Sequence, residues 1–116
     1  MLDMSQKQKI SIPIAKAFAN AQYAHDEIFK TNPRESVIVG HLSIASSYMN
    51  SARAIYSCNL DTFEQDEIDN FFSQFDVFIK EVMTNIRTDH SHQWSNIEFE
   101  KLSEEYEVIK ELLGLV

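Results

Sequence analysis

The sequence predicts an all-α protein: a compact single domain of four helices, with room for a fifth, running mostly antiparallel. Three observations carry this expectation. Glycine and proline occur only twice each in 116 residues, so few positions force a turn or interrupt a helix. Apolar residues recur at three- and four-residue steps, while strict period-two alternation is scarce. Each amphipathic run is also preceded by residues that start helices. With 44% apolar residues at this length, one domain over residues 1–116 can bury a real core. Residues 1–10 read as a flexible lead-in.

The first helix is expected to begin near Ser11, with Pro13 in its opening turn, where a missing N–H costs little. Ile14, Ala17, Phe18, Ala21, Ala24 and Ile28 make its apolar face. It should stop near Thr31, because residues ahead of Pro33 disfavour helical angles.

"NPRE" restarts the chain. Asn32 is a good N-cap, Pro33 suits the first helical position, and Glu35 completes a capping-box arrangement. From Ser36 to Ala52 there is no Lys, Arg, Asp or Glu. Val37, Ile38, Ile44, Ala45, Tyr48, Met49, Ala52, Ile55 and Tyr56 cover a broad arc, while Gly40, Ser43, Ser46, Ser47 and Ser51 keep the rest slim. This reads as a central helix packed by neighbours on more than one side.

"DTFE" opens the third helix, with Asp61 and Glu64 at capping-box spacing, so Glu64 reads as a cap. Ile68, Phe71, Phe72, Phe75, Ile79, Val82 and Ile86 form an aromatic-rich stripe, and Asp66 and Asp69 point away from it. The fourth helix starts from "SNIE", Ser95 to Glu98, another capping box with Ser95 as N-cap, and ends near Gly114. Phe99, Leu102, Tyr106, Ile109 and Leu113 line its inner side. Glu100, Glu104, Glu107 and Glu111 fall within about 60° of one another along the opposite edge.

Charge is distributed unevenly. Residues 1–60 hold six Lys/Arg and four Asp/Glu; residues 61–116 hold four and fourteen. A field that lopsided disfavours nucleic acid as a direct ligand and attracts basic surfaces over a Debye length of about 8 Å. The glutamate edge sharpens the point. Like charges at these spacings cost an isolated helix roughly 0.2–0.5 kcal/mol per pair, and Lys101 and Lys110 sit off the stripe. A docking cationic surface would relieve that repulsion, whereas a merely solvated face would leave it in place. Glu100, Glu104, Glu107, Glu111, Asp66 and Asp69 are therefore the candidate partner-binding residues.

Trp94 reads first as a staple onto the fourth helix; the alternative is an interface anchor, and on that reading it joins the candidate partner-binding residues.

Catalytic signals are thin. "TDHSHQW", residues 88–94, offers Asp89, His90 and His92 as metal-ligand types, but no second cluster completes a set. The bland reading is a polar connection. His41 reads as a buried histidine with a hydrogen-bonded ring, and Cys58 as a small packing residue. No phosphate-cradling glycine loop exists. No catalytic residue, metal or cofactor is expected, and an enzyme is disfavoured. The lone cysteine, the polar N-terminus and the lack of a long apolar run make a cytoplasmic protein the default.

In chain length, in helix layout from "KISIPIAKAFANAQYAHDEIF" to "SEEYEVIKELLGLV", and in its acidic second half, the chain resembles the type II-C anti-CRISPR proteins. The resemblance implies a phage- or prophage-encoded, stoichiometric inhibitor acting in the bacterial cell. It implies a partner in the HNH nuclease domain of the CRISPR effector, held away from its cleavage position. Some members bridge two effector molecules, for which the region of Lys7, Lys9 and Lys16 offers a second patch. Two other readings remain beside it: an antitoxin or immunity protein neutralising a basic toxin, and a small metal-dependent hydrolase built on residues 88–94.

Overall fold

The computed structural model describes residues 4–59, 66–88 and 91–114. It contains α1 (Met4–Ile28), α2 (Glu35–Cys58), α3 (Asp66–Thr88) and α4 (Gln93–Leu113). The described residues contain no strand.

One spacing runs through all four helices. α1 buries Ile10, Ile14, Ala17, Ala21, Ala24 and Ile28; α2 buries Ile38, Leu42, Ala45, Met49, Ala52 and Tyr56. α3 buries Ile68, Phe71, Phe75, Phe78, Val82 and Asn85. On α4, Ser95, Phe99, Leu102, Ile109 and Leu113 are buried and Tyr106 packs against the core. Alternating steps of four and three average 3.5 residues, which keeps one seam of each helix turned toward its neighbours along the whole length. The result is a rod of 45 × 23 × 21 Å. α1 pairs most extensively with α2 and α3 with α4, while α1 abuts α4 and α2 abuts α3. This is a four-helix bundle built from two consecutive hairpins.

The two hairpins differ in filling. Alanines at 17, 21, 24, 45 and 52 let α1 and α2 approach closely. Aromatic rings join the other contacts. Phe18 of α1 stacks on Tyr106 of α4 at 4.0 Å and lies 5.7 Å from Phe99. Phe78 meets Phe99 at 5.3 Å and Phe71 meets Tyr106 at 5.9 Å. Between α2 and α3, Arg53 donates to the Phe72 carbonyl at 3.0 Å, pairs with Asp76 at 2.8 Å and lies over the Phe72 ring.

Several sequence expectations are corrected. α1 begins at Met4, not near Ser11, so Pro13 lies inside the helix rather than in its opening turn. Proline there removes one backbone hydrogen bond, but continuing the helix buries Ile10 completely. Residues 4–10 therefore belong to α1. α2 starts two residues later than predicted, with Arg34 as N-cap and no side-chain cap bond. Glu27 explains the shift. Its carboxylate is only 3% exposed; it accepts the Arg34 backbone N–H and the Lys30 ammonium, both at 2.9 Å. These donors hold its pKa down at about 2, the backbone N–H of Arg34 contributing most. The chain is thus tied to the last turn of α1 through Arg34.

α4 starts at Gln93, so Ser95 is not its N-cap. α2 is not the central helix expected: like each of the other helices it has two helical neighbours, its contact with α3 is slight, and its slim side is open, with Gly40, Ser43, Ser47 and Ser51 exposed together with Ile44, which was placed on the apolar arc. Cys58 is also exposed, not packed. Phe78, passed over in the predicted stripe, is fully buried. The capping pair Asp61 and Glu64 lies outside the described residues. No helix among the described residues is long and apolar enough to cross a membrane.

Two outcomes follow for stability. A Cβ added at Gly40 meets nothing within 4 Å, so Gly40→Ala should raise stability by about 0.5–1 kcal/mol, read as a higher urea midpoint. Because the Glu27 pKa falls from 4.5 to about 2 on folding, its ionised form stabilises fully above pH 4.5 and that contribution fades as pH drops toward 2. Glu27→Gln should be less stable than the parent at pH 7, with the gap closing between those values in urea titrations. A gap independent of pH would contradict the ion-paired corner.

Candidate functional site

Consecutive hairpins turn a sequence asymmetry into a spatial one. α1 and α2 together contain four Lys/Arg and three Asp/Glu; α3 and α4 contain four and eleven. One layer of the bundle is therefore nearly neutral and the other strongly acidic.

The predicted glutamate edge is present on the acidic layer: Glu100, Glu104, Glu107 and Glu111 are all exposed along α4. They span about 16 Å at 1.5 Å per residue. Lys110 reaches Glu107 at 3.7 Å, and Asn96 donates to Glu100 at 3.2 Å. Among the described residues, Lys110 is the one cation within 4 Å of the stripe. Lys101 instead turns to Glu98, at 3.5 Å. Glu111 and Glu107 also lie in the last turns of α4, where the negative end of the helix dipole disfavours them.

Asp66 and Asp69 are exposed in the first turn of α3. There they complement the helix dipole, a structural role beside any binding one. The Phe71–Tyr106 contact puts that turn at the end of the bundle where α4 finishes. Asp66, Asp69 and Glu111 thus share one end of the acidic layer. Trp94 lies at the other, in the first turn of α4. It is 60% exposed and lies inside α4, after the His92 N-cap, so it does not hold the staple position ahead of the helix. It borders an open hollow of about 430 Å³ with Glu81, Thr84, Asn85, Ser91 and Gln93.

Beneath the hollow is a polar cluster that sequence reasoning missed. Ser95 is fully buried; its Oγ accepts from Asn85 Nδ2 at 3.0 Å and donates to His92 Nδ1 at 3.0 Å. Asn85 Nδ2 also donates to Glu81 Oε1 at 3.3 Å. Burial lowers the His92 pKa, with the nearby Glu81 carboxylate opposing it. The arrangement favours the neutral His92 ring and ties the start of α4 to α3. The signal available in the sequence was the 85/95 pair on two core stripes, visible only once the four-three spacing is traced through polar positions.

His25 and His41 also have structural partners. His25 Nε2 donates to Asn96 Oδ1 at 2.8 Å, and its ring stacks on Phe99 at 4.2 Å. His41 is half-buried and donates from Nδ1 to Asn20 Oδ1 at 3.0 Å, in keeping with the hydrogen-bonded ring expected. Burial, reinforced by Glu107, raises the Tyr106 pKa. Asp89 and His90 lie outside the described residues. Among the described residues, no three His, Cys, Asp or Glu side chains are grouped to hold a metal ion.

Ser95→Ala would leave Asn85 without its buried acceptor, and should cost about 1–3 kcal/mol by chemical denaturation. An unchanged midpoint would mean that the cluster does not position α4.

Protein-family models, curated proteins and solved structures were compared with the chain, and none matches it.

Proposed function

We propose that this chain is a non-enzymatic binding protein whose acidic α3–α4 layer docks on a basic surface of a nucleic-acid enzyme. The HNH nuclease domain of a type II-C CRISPR effector is the target that the resemblance in length, layout and charge implies. The observation that carries the reading is the exposed glutamate edge of α4, which repels itself in the free protein and has, among the described residues, one lysine within 4 Å. Neutralising such an edge against Lys and Arg side chains adds attraction and removes repulsion in one step.

Surfaces that hold nucleic acid are rich in those side chains, so an acidic rod of this size competes for the same ground. Direct nucleic-acid binding is disfavoured by the same field. Inhibition then needs no chemistry from the chain. Effector cleavage requires the HNH domain to dock after target pairing, so holding that domain leaves target recognition intact while blocking the cut.

The test is a cleavage and binding assay with a type II-C effector, its guide and target DNA. Saturating protein should abolish cleavage and leave DNA binding in place; undiminished cleavage would contradict the proposal. Changing Glu100, Glu104, Glu107 and Glu111 together to Gln should preserve or slightly raise thermal stability. The same change should weaken effector binding by more than about tenfold at low salt. Unaltered affinity would move the interface off α4.

A further inference from the structure

The hollow beside Trp94 has a chemistry more specific than the acidity around it. An indole with 60% of its surface exposed stands on its rim, in the first turn of α4 where the helix is anchored. Among the described residues, no other ring stacks on it. Glu81 lines the same hollow, half-buried, with Oε1 at a long 3.3 Å from Asn85 Nδ2. Thr84, Ser91 and Gln93 add oxygen acceptors. Among the described residues, no lysine or arginine lines it.

Each feature narrows the occupant. An anion would face Glu81 unpaired. A purely apolar group would cover a carboxylate without compensating it, which is costly. A cation suits both the carboxylate and the electron-rich face of the indole. Among protein cations, the planar guanidinium can lie on an aromatic face and still send several N–H donors sideways to carboxylate and hydroxyl oxygens. A lysine ammonium is a hydrated point charge that stacks less well. The rigid mounting matters too. The buried Ser95–Asn85–His92 cluster fixes the turn that carries Trp94, so little ordering is needed on binding.

We propose that the Trp94–Glu81 hollow is the socket for an arginine side chain of the basic partner, its guanidinium stacked on the indole and paired with the Glu81 carboxylate. This rests on the acidic layer being the docking face. It adds a residue that charge alone did not single out, Glu81, and a preference that a general acidic field lacks, arginine over lysine.

Trp94 is the chain's only tryptophan, so its emission reports on the hollow directly. The whole chain is titrated with a nona-arginine peptide and, at equal salt, with nona-lysine. Affinity is read independently by fluorescence anisotropy of labelled peptide. The socket predicts a saturable change in Trp94 emission and tighter binding of nona-arginine by about fivefold. Trp94→Ala, whose fold is checked by circular dichroism, should erase that preference. Glu81→Gln should weaken nona-arginine by about fivefold. Equal binding of both peptides, with neither substitution having an effect, would overturn the socket while leaving the acidic docking face standing. Failure of both peptides to bind at low salt would overturn the docking face and the socket together.

Discussion

Inward packing at alternating steps of four and three residues, maintained for six positions on each helix, is the constraint on which this molecule depends. It makes every helix one-sided along its full length, so each can be satisfied only by neighbours running beside it. Short connections then force consecutive helices into hairpins, and two hairpins closing on each other complete the bundle. Because the hairpins are consecutive, whatever differs between the halves of the chain ends up on different layers. The first half supplies alanine-lined packing and almost no net charge. The second supplies phenylalanines inside and carboxylates outside.

The outer surfaces show where stability was not the governing consideration. Exposed helix positions tolerate almost any good helix former, yet α2 exposes Gly40 and several serines, and α4 sets four glutamates in one file. Both choices cost helix stability. Conflicts between local preference and the global fold concentrate where a surface has work to do. On α4 the conflict has an electrostatic remedy in a cationic partner. On α2, nothing in the structure explains the small uncharged face. In the interior, Phe18, Phe71, Phe78, Phe99 and Tyr106 form a connected aromatic cluster reaching three of the four helices.

Much of this was legible in the sequence. Helix number, the inner face of α4, most of the α3 stripe and the exposed glutamate edge all follow from periodicity and charge. Helix starts did not. Two predicted N-caps, Asn32 and Ser95, were outweighed by tertiary contacts that no local pattern records. Glu27, seven residues earlier, captures the Arg34 N–H, while Ser95 serves Asn85 and His92 in the interior. Pro13 was read by its usual position in a first turn, and the burial of Ile10 extends the helix through it. The exposure of Trp94 was equally invisible: a tryptophan beside a helix start serves as staple or as anchor with the same neighbours in sequence.

The central claim is sidedness, that the acidic layer meets the partner and the neutral layer does not. Amide shift perturbation of the isotope-labelled chain, titrated with an isolated type II-C HNH domain, tests it most directly. The account predicts shifts confined to the outward residues of α3 and α4, from Asp66 and Glu111 at one end to Trp94 at the other. Shifts clustered on the outward residues of α1 and α2, around Gly40 and Ser47, would contradict it.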